Sequence, residues 1–138
     1  MHTAPTAGGD VGYHGIVEAT AGGDIAALRS LTKLEELQIN DTLLWGSIAA
    51  LKDLVNLEYL ELSDTEIEGD IKHLQNLTNL TTLSLNRNAV AGHISSLASL
   101  VNLENLDIAG CAGITGDLVD LDASSNPEIG CIKKTWSQ

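Results

Sequence analysis

The feature that most constrains this chain is a Gly-x-Ile triplet that returns at a fixed interval. The interval is 23 residues each time, and the triplets begin at Gly23, Gly46, Gly69 and Gly92. Within each unit, apolar residues occupy the same places. In the third unit these are Ile71, Leu74, Leu77, Leu80, Leu83, Leu85 and Val90. Self-similarity at such an interval indicates a repeat architecture in which each unit is one structural coil.

The spacing of the apolar residues predicts the local structure of each coil. Leu83 and Leu85 are two residues apart, which is typical of a short strand with alternate side chains buried. Ile71, Leu74 and Leu77 recur every three residues, which favours one or two turns of 3-10 or short α-helix. Since one coil cannot bury its own apolar edge, about three or more coils must stack. Four complete units are present.

The repeated pattern, LxxLxxLxLxx[N/T]xIxGxI, resembles the leucine-rich-repeat family and is close to its plant-type variant. The resemblance covers residues 23–115 fully. It implies an α/β solenoid: a right-handed superhelix with a parallel β-sheet on the concave face and short 3-10 turns on the convex face. The family's asparagine ladder falls at Thr42, Thr65, Asn88 and Cys111. The chain departs from the plant-type pattern because only one of these is Asn and because no Pro follows Gly-x-Ile.

We interpret the chain as a single domain with atypical ends. Residues 1–22 form an N-terminal tail or cap, 23–115 the four full repeats, 116–132 a truncated C-terminal cap repeat and 133–138 a tail. Capping units are what a solenoid requires, and we predict edge strands within 11–21 and 118–132, with the last one at 120–124. A disordered tail over the first 22 residues is the alternative for the N-terminus.

The charge of the chain limits the classes of partner. Seven Lys and Arg stand against 19 Asp and Glu, so the net charge is −12. This argues against binding nucleic acid, which needs a basic footprint, and against anionic membrane surfaces. No stretch approaches the ~20 apolar residues that span a bilayer, and no secretory signal is evident, so the compartment stays unassigned. We expect a protein partner with a basic or polar contact surface and a chain that is monomeric in isolation.

Charge is also segregated between the predicted faces. The five strand segments with their rims hold ten acids and one base, Arg87, whereas the convex segments hold four bases and one acid, Asp53. Concave faces are the usual working surface of the resembled family, so we predict a binding face there; a solvated face that keeps the protein soluble is the alternative. Tyr59, Glu61 and Asp107 lead the prediction, because Tyr59 is the aromatic in the middle of this surface. The predicted binding residues are Glu36, Gln38, Tyr59, Glu61, Ser84, Asn86, Asp107 and Asp122.

A second contact patch is predicted at Leu43 and Trp45, which flank the inward Leu44. At the corresponding places the later units carry Glu66 and Glu68, then smaller residues. Two outward apolar side chains in one place indicate a contact surface. The alternative is that the N-terminal cap covers them.

The residues that carry chemistry do not form a catalytic or metal-binding pattern. No Ser/His/Asp or Cys/His arrangement is evident, and the abundant acids lie on an open face without a wall to perturb them. We interpret Cys111 and Cys131 as structural; they are not a metal site, and a disulfide between them is left open. The sequence therefore predicts a non-catalytic binding or scaffold module without cofactor. A structural accessory subunit that uses its edges and the Leu43/Trp45 patch is the alternative, and an ice- or glycan-binding ladder of Thr and Asn is a third.

Overall fold

The computed structural model describes residues 16–17, 23–40, 43–116 and 131–133. The strands in these ranges are β1 (Ile16–Val17), β2 (Gly23–Asp24), β3 (Glu36–Asn40), β4 (Leu44–Ser47), β5 (Tyr59–Ser63), β6 (Glu66–Asp70), β7 (Thr82–Ser84), β8 (Ala89–His93), β9 (Asn105–Asp107), β10 (Gly113–Thr115) and β11 (Cys131–Lys133). The 3-10 helices are η1 (Ile25–Leu28), η2 (Ile48–Leu51), η3 (Ile71–Leu74) and η4 (Ile94–Leu97). Among the described helices, none has the length and apolar character needed to cross a membrane.

The strands form two parallel sheets, so that each complete coil contributes one strand to each sheet. The first sheet has the order β1-β3-β5-β7-β9-β11, and the second has the order β10-β8-β6-β4-β2. In the first sheet, Glu36 lies beside Tyr59, one repeat length away. This sheet and the 3-10 helices confirm the predicted solenoid. The second sheet was not predicted. The handedness of the superhelix and the concave position of the first sheet stay predictions.

The core is a stack of leucine and isoleucine side chains between the two sheets and the 3-10 helices. All seven apolar residues identified in the third repeat, from Ile71 to Val90, have no exposed surface. Their counterparts in the other coils belong to the same continuous cluster. The apolar residues that recur at spacings of three and two in the sequence are therefore the side chains that each coil buries, as predicted.

A polar side chain caps each 3-10 helix, and this explains the recurring glycine. In the third coil, the Asp70 carboxylate accepts a hydrogen bond from the Lys72 backbone amide at 2.8 Å. Gly92 of the next coil packs against this cap with a φ of +125°, and a Cβ there would approach Asp70 Oδ1 to 2.5 Å. Only glycine fits the conformation and the space together. The same cap is formed by Asp24, Ser47 and His93.

The predicted polar ladder joins neighbouring coils in the interior. Asn88 accepts hydrogen bonds at its Oδ1 from the amide and hydroxyl of Thr65, at 3.1 and 2.6 Å, and donates to the Leu62 carbonyl. In the next coil, the Cys111 thiol donates to the Leu85 carbonyl at 2.6 Å. The ladder is thus confirmed at these three positions, while Thr42 lies outside the described residues. Cys111 is a free thiol, and burial raises its pKa.

A second ladder, which was not predicted, lies on the surface of the return segments. Three asparagines at the repeat spacing each donate a side-chain hydrogen bond to a carbonyl of the preceding coil at 2.8 to 3.2 Å. These asparagines are Asn56, Asn79 and Asn102. The coils are therefore tied to one another at two places on their circumference, one buried and one exposed.

The last strand of the first sheet differs from the prediction. The structure pairs Cys131–Lys133 with β9 and places Ile132 beside Leu106, whereas the predicted position of that strand is 120–124. The prediction was wrong because it treated the segment after Gly116 as a shortened coil. Leu118 and Leu121 instead match the apolar residues of η4 in the repeat alignment, so the strand has to follow later in the chain. Asp122 lies outside the described residues.

At the other end, β1 pairs with β3 and lies inside the segment for which an edge strand was predicted. The capping role of both ends stays a prediction.

Candidate functional site

The outward side chains of β3, β5, β7 and β9 form the surface that we call the first-sheet face. Because side chains alternate along a strand, the inward leucines place their neighbours on this face. The register of the sheet aligns these neighbours into two rows that cross all four strands. The first row is Glu36, Tyr59, Thr82 and Asn105. The second row is Gln38, Glu61, Ser84 and Asp107.

The centre of the first-sheet face is a hydrogen-bonded group around Glu61. The Tyr59 hydroxyl donates to Glu61 Oε1 at 2.8 Å, and Gln38 Nε2 donates to the same oxygen at 3.1 Å. The hydrogen bond to Glu61 raises the pKa of Tyr59 above its ordinary value, and burial and the negative charges of Glu61 and Glu36 act in the same direction. All three side chains are half-buried. The two hydrogen bonds therefore hold these three side chains in one arrangement.

Beside this group lies a depression of about 230 Å³. Its lining combines a phenol, hydroxyls, an amide and two carboxylates above two leucines of the core. The lining residues are Tyr59, Glu61, Thr82, Leu83, Ser84, Asn105, Leu106 and Asp107. Thr82 and Asn105 were absent from the predicted binding residues, although both occupy the repeat position of Tyr59 and could have been selected on that ground.

The first-sheet face and its rims are acidic. Residues 35–40, 58–64, 81–87 and 104–110 comprise four strands of this sheet with their rims. Together they hold seven acids and one base, Arg87. Arg87 forms an ion pair with Asp64 through two hydrogen bonds, of which Nη2 to Oδ2 is 2.8 Å. The Arg87 guanidinium lowers the pKa of the Asp64 carboxyl. Since the base is already engaged by an acid, its charge does little to offset the remaining carboxylates.

The other predicted residues of this face lie where the strand alternation puts them. Glu36 is exposed, and Asn86 is half-buried two residues beyond the end of β7. Ser84 Oγ is 3.4 Å from Asn86 Oδ1 and 3.3 Å from the Ser63 hydroxyl of the preceding coil. The face is therefore linked laterally by side chains at more than one place.

The predicted second patch lies elsewhere, on the second sheet. Leu43 precedes β4 and Trp45 lies on it, with 68% and 51% of their surface exposed. The described residues thus leave both side chains accessible. The cap that was the alternative explanation for them lies outside the described residues apart from Ile16 and Val17.

Comparisons with known proteins agree with the architecture. A family model described as leucine-rich repeats in two copies matches residues 55–92. No curated protein sequence matches the chain. Among solved structures, internalin C2 from Listeria monocytogenes is 29% identical over 81% of this chain and 46% of that one, with a TM-score of 0.62.

Two further solved structures are similar over most of the chain. The PEPR1-AtPEP1 structure is 28% identical over 86% of this chain and 17% of that one, with a TM-score of 0.72. The plant peptide hormone receptor RGFR1, solved in complex with RGF2, is 25% identical over 84% of this chain and 19% of that one, with a TM-score of 0.68. The chain spans less than half the length of each of these three structures.

Proposed function

The chain is a leucine-rich-repeat protein, and we propose on this basis that it is a non-catalytic module that binds another protein or a peptide through the first-sheet face. The observation that carries the proposal is the hydrogen-bonded group of Gln38, Tyr59 and Glu61 beside a polar depression. Side chains that hold one another in place lose less conformational entropy when a partner binds. RGFR1, a peptide hormone receptor solved with RGF2, supports a peptide or protein as the class of ligand.

The chemistry of the depression favours a partner with a basic side chain. Glu61 and Asp107 lie two strands apart in the second row, with Ser84 between them. An ammonium or guanidinium group placed over Ser84 meets a carboxylate on either side. The hydroxyl of Thr82 and the amide of Asn105 then offer hydrogen bonds to the main chain of an extended partner. Charge complementarity of this kind mainly sets the association rate and the choice of partner.

The test is selection of random dodecapeptides against the intact, immobilised chain, followed by titration of an enriched peptide with variants. We expect enriched peptides to contain Lys or Arg and to lose binding in the double variant Glu61→Lys with Asp107→Lys. Their binding should also weaken as salt rises beyond ~0.15 M, where the Debye length is about 8 Å. Circular dichroism confirms that the variants are folded. Undiminished binding to the charge-reversed variant contradicts the proposal.

An accessory subunit of a larger assembly is the second candidate, and the exposure of Leu43 and Trp45 favours it. The double variant Leu43→Ser with Trp45→Ser is the matched control in the same titrations. If the first-sheet face is the working surface, this variant keeps peptide binding. Loss of binding in this variant, with retention in the charge-reversed one, favours the accessory subunit instead.

A further inference from the structure

A second depression, of about 670 Å³, lies away from the first-sheet face, between Trp45 and the helices η1 and η2. Pockets for small ligands commonly measure ~300–1,000 Å³. Its lining includes Ala26, Arg29, Trp45, Ala49, Lys52 and Asp53. We propose that this depression is a binding site for a neutral oligosaccharide, with Trp45 as the platform on which a sugar ring lies.

The hollow exists because the first two coils carry small residues where the next coil carries long ones. Ala26 and Ala49 occupy the second position of η1 and η2, and Lys72 occupies the same position of η3 in the third coil. Ala50 is likewise replaced by His73. The floor of the depression is therefore low and apolar, whereas the fourth coil carries small but polar residues, Ser95 and Ser96, at the same places.

The polar groups around the hollow are available to a ligand. Within the described residues, the indole N–H of Trp45 and the charged groups of Arg29, Lys52 and Asp53 make no hydrogen bond and no ion pair. By contrast, the carboxylate of Asp24 and the hydroxyl of Ser47 each already accept a hydrogen bond from a backbone amide. The rim thus offers three donors and a carboxylate acceptor that nothing in the described chain uses.

The balance of these groups identifies the class of ligand. Two cations, Arg29 and Lys52, face two carboxylates, Asp24 and Asp53, so the lining has no net charge to attract a charged ligand. Sugar hydroxyls both donate and accept hydrogen bonds, which suits a rim that holds donors and acceptors together. The exposed face of an indole offers a large flat surface for the C–H face of a pyranose ring, with its N–H as a polar handle.

The test is isothermal titration calorimetry of the intact chain with four neutral hexasaccharides: cellohexaose, mannohexaose, xylohexaose and maltohexaose. We expect at least one to bind with a Kd of about 1 mM or tighter. Trp45→Ala should weaken that binding at least ~10-fold. Ala49→Lys, which copies Lys72 of the next coil, should do the same by filling the hollow while keeping the tryptophan.

Two controls separate this site from the rest of the molecule. Val55→Ala removes another exposed apolar side chain and should leave sugar binding unchanged. The double variant Glu61→Lys with Asp107→Lys should also leave it unchanged, so the outcome is independent of the proposed protein-binding function. Absence of binding by all four sugars overturns the proposal, and so does binding that survives both Trp45→Ala and Ala49→Lys.

Discussion

The two sheets cover the same leucine core, yet their outward faces are built differently. On the first-sheet face most side chains of the two central rows are half-buried, and Gln38 and Glu61 bond across neighbouring coils. On the second sheet the outward residues that flank Leu44, Ile67 and Val90 are exposed and, in the described chain, their side chains make no hydrogen bond to one another. These residues are Leu43, Trp45, Glu66, Glu68, Ala89 and Ala91.

The difference shows which part of a repeat specifies the fold and which part specifies the surface. Inward residues hardly vary between coils because every coil must fill the same slice of core. The first-sheet face orders its polar side chains against one another, which favours recognition of a defined partner. The second sheet changes from apolar to acidic to small along the solenoid, and so presents a different local surface at each coil.

The largest expected effect comes from breaking the core that both sheets share. Leu83 has no exposed surface, so Leu83→Ala should lower the free energy of unfolding by ~2–5 kcal/mol through loss of contacts and a residual cavity. Its neighbour Ser84 lies on the outward side, and Ser84→Ala should change stability little. Chemical denaturation of both variants measures this, and equal losses would show that the inward and outward assignment of β7 is wrong.

A smaller effect is expected at the joint between the two sheets. Asn88 is buried, donates a hydrogen bond to the Leu62 carbonyl and accepts one from the Thr65 amide. Asn88→Ala therefore leaves these buried polar groups unpaired. We expect a loss of ~1–3 kcal/mol in the free energy of unfolding.

Asn79→Ala is the matched control for that variant, since it removes one bond of the exposed ladder and water can replace it. It should cost at most ~0.5–1.5 kcal/mol. A control that is as damaging as Asn88→Ala would mean that burial does not distinguish the two ladders.

The sequence was sufficient to predict the repeat, the inward leucines and the first sheet, because these depend on spacing within one coil. It was not sufficient for the second sheet. There, a single buried residue such as Ile67 stands between two outward ones, and such a run is too short to show a period of two. These strands are defined by pairing with adjacent coils, which appears only in three dimensions. Glycine spacing also misplaced the last strand, since the strand that pairs with β9 is Cys131–Lys133 and not 120–124.

The candidate site was predictable in part for the same reason. Alternation within a coil put Glu61 and Asp107 on the outward side, but the hydrogen bonds from Gln38 and Tyr59 depend on distances between coils. The depression around Trp45 depends on the absence of long side chains in two successive coils. The alanines there carry no polar or charged group that would have indicated a site in the sequence.

The smallest expected effect concerns the ordering of the first-sheet face itself. The hydrogen bond to Glu61 raises the pKa of Tyr59 in the folded state above its unfolded value of about 10. The contribution of this shift to the stability of the fold is therefore fully present below about pH 10 and is lost as the pH rises through the folded-state pKa of Tyr59. Ultraviolet titration of tyrosinate, with Tyr59→Phe to assign the signal, should show a lower Tyr59 pKa in Glu61→Gln. An unchanged pKa in that variant would show that the bond is absent in solution.

Whether the first-sheet face is the working surface can be measured by mapping backbone amide chemical shifts of the isotope-labelled chain during titration with an enriched peptide. We expect the shifts to change along β3, β5, β7 and β9, with the largest changes near Glu61 and Ser84, while β4, β6 and β8 change little. Changes concentrated on β4 around Trp45, with β5 and β7 unaffected, would contradict this expectation.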